Sequence, residues 1–73
     1  MKLDEFVFEM NIGEVSQYGV CQMNDFNIHV NIFHDDPEIH YINIYREGEQ
    51  QLMTRGTWEE VLPDIKRIVY DID

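Results

Sequence analysis

The sequence predicts an α+β fold: an antiparallel β-meander of four to five strands with one C-terminal α-helix packed on one face. Three observations lead to this fold class. Apolar and polar residues alternate in short runs over roughly the first 55 positions, which is the pattern of half-buried strands. Turn-forming residues close each run. After Thr57 the apolar residues recur at helical spacing instead.

The first predicted hairpin follows from an alternating run that ends at Ile12. In that run Phe6, Phe8, Met10 and Ile12 share one face of the first strand. Gly13 and Glu14 then supply a two-residue loop with glycine first, which is a common hairpin connection. This loop predicts the facing pairs Ile12 with Val15, Met10 with Gln17, Phe8 with Gly19, and Phe6 with Cys21.

The second and third predicted hairpins keep the same face apolar. Asn24 and Asp25 suit the positive φ angles of a type I′ turn. This turn predicts the pairs Met23 with Phe26, Cys21 with Ile28, and Gly19 with Val30. The loop Asp36–Pro37–Glu38 predicts the pairs Ile32 with Ile42, Val30 with Ile44, and His34 with His40. A slip of one residue would place Ile32 opposite Tyr41 and mix the two faces, so we reject it.

The remaining chain is predicted to form a fourth hairpin and then the helix. Around Gly48 the length of the loop decides whether Leu52 or Met53 faces inward, and we favour Leu52. The helix begins near Thr57, and its apolar stripe consists of Trp58, Val61, Leu62, Ile65, Ile68, Val69 and Ile72. This stripe can cover the apolar face of the sheet, which would otherwise lie open to water.

Three features mark how the predicted helix starts and ends. Thr57 and Glu60 have the spacing of a capping box. Acidic residues in the first turn and basic residues further along suit the helix dipole, although Asp71 and Asp73 do not. Pro63 removes a backbone hydrogen bond and clashes with the preceding turn, so we expect a kink or a broken first turn.

The opposite face of the predicted sheet carries few charges and several aromatic residues. Because interface cores are depleted of charge and rich in aromatic residues, we interpret this face as a protein contact surface. The predicted partner-binding residues are Tyr18, Val20, His29, Phe33, Tyr41 and Tyr45 on the face, with Asp35, Asp36 and Glu38 on its acidic rim. The alternative is cross-strand packing without a partner, in which Phe33 faces Tyr41 and His29 faces Tyr45.

Size and cysteine content limit the class of protein. The 73 residues have room for one small core, so we expect a single α+β domain at 1–73. The one cysteine, Cys21, excludes an internal disulfide framework and fits a reducing compartment. The first residues lack the apolar core of a signal peptide, and no apolar run is long enough to span a bilayer. A cytoplasmic protein is therefore expected.

The formal net charge of −10 restricts the partners. Such acidity repels nucleic acid phosphate and anionic lipid, and it attracts basic protein surfaces. We therefore expect a protein partner, with no direct contact to nucleic acid and no membrane association.

The sequence offers no clear catalytic or cofactor motif, so we expect neither an enzyme nor a cofactor. His34 and His40 with Asp36 could reach a zinc-sized ion, but the ligand spacing of known zinc motifs is missing. We therefore interpret them first as polar residues at a sheet end. Cys21 is predicted inside and His29 outside, so they should not meet as nucleophile and base.

Two functional hypotheses follow from charge and surface. In the first, the chain is a small acidic interaction module that occupies a basic surface of a nucleic-acid-acting enzyme, as inhibitors and immunity proteins of nucleases do. Many phage-encoded antagonists share this character. In the alternative, two copies pair through the exposed sheet face or an edge strand and form a homodimer with a structural or assembly role.

Overall fold

A computed structural model describes residues 1–70 and confirms the α+β fold. Its elements are β1 (Lys2–Leu3), β2 (Phe6–Val7), β3 (Glu9–Ile12), β4 (Ser16–Met23), β5 (Phe26–Phe33), β6 (His40–Arg46), β7 (Glu49–Gly56) and α1 (Trp58–Val69). Strands β3 to β7 form a five-stranded antiparallel meander, and β1 and β2 form a separate two-stranded hairpin. The predicted helical residue Ile72, and Asp71 and Asp73, lie outside the described residues.

The hydrophobic core lies between α1 and one face of the sheet, which we call the inner face. Along β5 buried and half-buried residues alternate without interruption, as the sequence predicts. The branched residues of β5 and β6 on this face pack against three residues of the helix. The buried apolar side chains are Phe6, Phe8, Cys21, Phe26, Ile28, Val30, Ile32, Ile42, Ile44, Val61, Ile65 and Val69.

The helix begins at the predicted capping box. The backbone N–H of Glu60 donates to the Thr57 hydroxyl over 3.3 Å, and the N–H of Thr57 donates to the Glu60 carboxylate over 3.0 Å. The hydrogen bond from the Thr57 backbone is the main cause that lowers the pKa of Glu60. None of the helical structure within residues 1–70 has the length and apolar character that crossing a bilayer requires.

The helix continues without a break through Pro63, so the predicted broken first turn is wrong. Proline has no N–H to donate to the carbonyl of Glu59, four residues earlier. Both Pro63 and Glu59 are exposed, so water can bond to that carbonyl in place of the missing donor. The capping box and the buried stripe of α1 hold the helix on either side of Pro63.

The register predicted for the first hairpin is wrong by two residues. Met10 pairs with Gly19 and Ile12 with Gln17, so the four residues 13–16 lie between the last pair of the hairpin. Because the shift is even, each residue keeps its predicted face. Ile12 and Val15 do not pair, and Ile12 is 77% exposed.

The first hairpin has a different register because other residues contact its turn and its glycine. The His34 side chain donates from Nε2 to the carbonyl of Gly13 over 2.8 Å, and the His34 backbone N–H donates to the carbonyl of Val15 over 2.9 Å. The side chain of Met10, rather than that of Phe8, fills the space above Gly19. A β-carbon at Gly19 would clash with the Met10 sulfur.

The register predicted for the third hairpin is also wrong by two residues. Val30 pairs with Ile42, so the predicted pairs of Val30 with Ile44 and of Ile32 with Ile42 do not form. The connection runs over residues 34–39 rather than three residues and contains two successive turns. In the first turn the N–H of Asp36 donates to Phe33 over 3.1 Å, and in the second the N–H of Ile39 donates to Asp36 over 3.2 Å.

The second and fourth hairpins close through two-residue turns with positive φ. Asn24 and Asp25 have φ angles of 51° and 68°, and the predicted pairing of Met23 with Phe26 is confirmed. Glu47 and Gly48, with φ angles of 52° and 81°, close the fourth hairpin. Such turns match the twist of antiparallel strands, and this explains why short loops suffice here.

A β-bulge decides which residues of β7 face the core. Tyr45 pairs with Gln50 and Ile44 with Leu52, so Gln51 is an extra residue in β7. A two-residue loop without this bulge would turn Met53 inward. With the bulge, Leu52 packs against the core and Met53 is 71% exposed, which confirms the prediction for Leu52.

The hairpin of β1 and β2 is an element that the alternating pattern did not predict. It brings Phe6 into the core, where its ring meets Trp58 at 6.1 Å between centroids in an edge-to-face arrangement. Lys66 on α1 lies 3.1 Å from the carboxylate of Asp4 and 3.2 Å from that of Glu5. These ion pairs are partly exposed, so the buried ring of Phe6 contributes more to the attachment than they do.

We predict that an alanine substitution destabilises this protein far more at a buried isoleucine than at an exposed one. Ile28 is fully buried and Ile12 is 77% exposed. Ile28→Ala should lower the free energy of unfolding by about 2–5 kcal/mol, because it leaves a cavity in the core. Ile12→Ala, the matched control, should change it by less than about 0.5 kcal/mol. Urea denaturation followed by circular dichroism measures both, and equal losses would contradict the assignment of the inner face.

We predict that the capping hydroxyl of Thr57 stabilises α1. Thr57→Ala should lower the free energy of unfolding by about 1 kcal/mol, because the N–H of Glu60 loses its acceptor. Thr57→Ser keeps the hydroxyl and should retain most of the stability. Thermal or urea unfolding of the two variants provides the measurement, and a serine variant as unstable as the alanine variant would contradict this role.

Candidate protein-binding face

The side of the sheet opposite α1, which we call the outer face, carries the six predicted contact residues of the strands. They are distributed over β4, β5 and β6. Tyr18 is 40% exposed, and the other five are half-buried. The structure brings together on this face Tyr18, Val20, His29, Phe33, Tyr41 and Tyr45.

Three of these side chains form one aromatic cluster across β4, β5 and β6. The hydroxyl of Tyr18 is hydrogen-bonded to Nδ1 of His29, and the two rings lie 5.6 Å apart between centroids. The other side of the His29 ring meets Tyr45 at 5.2 Å, with an interplanar angle of 85°. Edge-to-face contacts of this kind are favourable for aromatic rings. The cluster therefore holds the orientation of His29 from two neighbouring strands.

A second aromatic pair lies nearer the other end of the outer face. The rings of Phe33 and Tyr41 are 5.4 Å apart with an interplanar angle of 89°. Because Asn31 is the direct partner of Tyr41, the Phe33 contact is diagonal across the two strands. The predicted packing of Phe33 on Tyr41 and of His29 on Tyr45 thus forms, although not between directly opposed residues. These contacts stabilise the ladder and also fix the shape of the surface.

Open depressions lie between the outer-face side chains. One, of about 410 Å³, is lined by Tyr18, His29, Asn43 and Tyr45. Another, of about 380 Å³, lies toward β3 and is lined by Val7, Glu9, Val20, Gln22 and Asn27. Both offer amide groups beside apolar or aromatic surface, a combination that suits the side chains of a protein partner.

The predicted rim residues Asp35, Asp36 and Glu38 are all exposed, in the connection between β5 and β6. Glu14 lies in the turn at the same end of the strands, since His34 joins the two connections. At the opposite end the turns contain Asp25 and Glu47. We call these carboxylates at the two strand ends the acidic rim. It encloses a central surface with few charges.

The two histidines that were considered as metal ligands, His34 and His40, make other contacts. His34 donates to the turn at Gly13, as described above. His40 is 8% exposed, donates from Nδ1 to the carbonyl of Glu38 over 3.0 Å, and lies 5.8 Å from the Trp58 ring. The predicted pairing of His34 with His40 is wrong, because the register of β5 and β6 pairs Asn31 with Tyr41, and His34 lies beyond the end of β5. Within residues 1–70 no three His, Cys, Asp or Glu side chains are placed to share a metal ion.

Cys21 is a core residue, as predicted. Its side chain lies on the inner face and is buried. Burial raises the pKa of the Cys21 thiol above its ordinary value, which disfavours the reactive thiolate. His29 extends from the other side of the sheet, so the two groups cannot act together.

The structure adds to the candidate site Asn43, which the predicted set omitted, and shows a neighbouring depression at the β7 edge. Asn43 lines the depression of about 410 Å³, and its place in the alternation of β6, between Tyr41 and Tyr45, was a signal for it. Next to the site, at the β7 edge, Met53 and Arg55 line a depression of about 350 Å³ together with Tyr41. Their placement depends on the bulge at Gln51, which the residue pattern did not reveal.

Comparisons with known proteins identify no relative of this chain. No family model matches the chain, and neither a curated protein nor a solved structure matches it significantly.

We predict that Phe33 and Tyr41 stabilise each other. A double-mutant cycle with Phe33→Leu and Tyr41→Leu should give a coupling free energy of about 0.5–1.5 kcal/mol, because each ring loses its edge-to-face partner. As a control, Phe33→Leu and Tyr45→Leu should be additive within about 0.5 kcal/mol, since Tyr45 contacts His29 instead. Equal coupling in both cycles, measured by urea unfolding, would contradict a specific pair.

Proposed function

We propose that this chain is a small acidic, non-catalytic interaction module that uses its outer face to bind a basic surface of a nucleic-acid-acting enzyme, as an inhibitor or immunity-type protein. The observation that carries the proposal is the division of the surface: a face poor in charge and rich in aromatic residues lies inside an acidic rim, in a chain of net charge −10. The compartment we propose is the cytoplasm, where such enzymes work on nucleic acid.

The aromatic cluster would supply affinity. Tyrosine combines a large apolar ring with a polar hydroxyl, and truncation of a central tyrosine in an interface commonly costs about 2 kcal/mol or more. Tyr18 is the most exposed of the aromatic residues on the outer face. The contacts among Tyr18, His29 and Tyr45 restrain their rings before binding, so little side-chain entropy remains to be lost.

The acidic rim would raise the rate of association with basic partners and select them over acidic ones. Carboxylates at both strand ends set up a negative field that attracts a basic surface and repels acidic ones. A surface evolved to bind nucleic acid phosphates is basic, so an acidic module can occupy it in their place. This is the chemical reason for naming a nucleic-acid-acting enzyme as the partner class.

Binding accounts for these features without a reaction. Cys21, the one thiol of the chain, is buried away from the outer face. His29 is engaged by Tyr18 and Tyr45. The depressions on the face are open rather than enclosed, and an open site does not exclude water as most catalytic clefts do.

The proposal is tested with a panel of purified nucleases and polymerases that includes basic and acidic members. We expect binding to basic members only, with association that slows steeply as salt is added. For an enzyme that binds the wild type, Tyr18→Ala should weaken the affinity of the complex by about 30-fold, mostly through faster dissociation. Replacing Asp35, Asp36 and Glu38 by their amides should slow association by about tenfold at low salt.

Matched variants control for folding and for net charge. Val15→Ala removes an apolar side chain that is 69% exposed in the first turn and should leave affinity unchanged. Glu59→Gln removes one carboxylate from the exposed side of α1 and should alter association less than any single rim variant. Binding that prefers acidic enzymes, or is indifferent to Tyr18 and to salt, would overturn the proposed function.

A further inference from the structure

The geometry points to β7 as the site where a second copy of this chain pairs, edge to edge and antiparallel, to form a homodimer. The inference does not rest on the proposed function, because it concerns the β7 edge, which adjoins the outer face at Tyr41. β7 is an outer strand of the five-stranded sheet and is bonded to β6 on one side only. An edge strand presents a row of N–H and C=O groups that another strand can complete.

The two edges of the sheet differ in what they offer. β3 has four residues and carries Glu9, and Phe8 beside it already exchanges backbone hydrogen bonds with Met1. β7 has eight residues. Its bulged start is partly occupied, since the Gln51 side chain donates to the carbonyl of Glu49 over 3.1 Å. The regular stretch Leu52–Gly56 beyond the bulge is the part open to pairing.

The distribution of charge favours β7 over the other surfaces of the chain as the place where two copies meet. Two chains of net charge −10 repel each other, so self-association needs a surface where the acidic excess is lowest. β7 contains one acidic and one basic residue, Glu49 and Arg55, and is therefore neutral. The nearby carboxylates lie at the ends of this stretch: Glu60 of α1 is beside Gly56, and the acidic connection before β6 leads to His40, the partner of Gly56. Leu52 to Arg55 itself contains no acidic residue.

An exposed apolar side chain lies on the same edge. Met53 is 71% exposed, although it belongs to a regular part of the strand. Beside it is the depression of about 350 Å³ lined by Tyr41, Met53, Thr54 and Arg55. In a two-fold arrangement each copy brings its Met53 toward the depression of the other, so one surface provides both the projecting group and the space that receives it.

The pairing would join two sheets into one of ten strands, with both outer faces on the same side. An antiparallel strand pair is compatible with two-fold symmetry, so the contact closes at two copies. One strand pair is a small interface beside the about 1,200–2,000 Å² of stable complexes, so the dimer should dissociate on dilution. Each copy would keep Tyr18, His29 and Tyr45 accessible, which makes the dimer bivalent for a partner.

Sedimentation of the full chain over a concentration series tests the inference. The wild type should change from monomer to dimer as concentration rises toward millimolar. Met53→Lys should remove the dimer, because a charge at the centre of the edge opposes strand pairing. Ile12→Lys is the matched control, since it makes the same charge change at a residue 77% exposed on the other edge, and it should dimerise as the wild type does.

Amide hydrogen exchange locates the contact independently of any variant. Amides within Leu52–Gly56 should exchange more slowly at high concentration, while those of β3 should not change. A wild type that stays monomeric at millimolar concentration would overturn the inference. So would a dimer that persists in Met53→Lys, or one that Ile12→Lys or Tyr18→Glu abolishes, since these place the contact elsewhere.

Discussion

The alternation of side chains along β5 is the constraint on which both surfaces of this protein depend. β5 is the middle strand of the sheet, and its neighbours β4 and β6 pair with it along most of their length. Burying Ile28 and Val30 under α1 forces His29 and Asn31 onto the outer face. The free energy of core packing therefore also fixes the positions of the aromatic side chains on the other side. A partner would meet a surface already ordered by the core behind it.

Charge is separated from this ordered surface by the topology of a meander. Turns at both strand ends hold many of the exposed carboxylates, which remain in water and are not desolvated. The strands between them carry amides and aromatic rings. A strongly acidic chain can in this way keep a central face whose burial requires little desolvation of charge. The electric field of its carboxylates still acts over the distance at which partners first meet.

The two proposed contacts meet at Tyr41 and otherwise use different parts of the sheet. The outer face near Tyr18 and Tyr45 lies over β4 to β6, whereas the strand edge at Met53 lies on β7. Pairing at β7 would place two outer faces side by side. When a partner presents two matching surfaces, binding at the first site raises the effective concentration for binding at the second. Dimerisation would thus strengthen binding without altering either face.

The sequence by itself determined the fold class, the inner and outer residues of β4 to β6, the Asn24–Asp25 turn and the start of α1. Each of these depends on local periodicity or on a short turn or capping signal. Tertiary contacts decided the registers at Met10 and Val30, since a shift of two residues keeps every face and only specific packing distinguishes the choices. The first register depends on the packing of Met10 over Gly19 and on His34, which contacts the turn from 21 residues further along the chain. The bulge at Gln51 and the attachment of the β1–β2 hairpin to α1 likewise depend on neighbours that no local pattern contains.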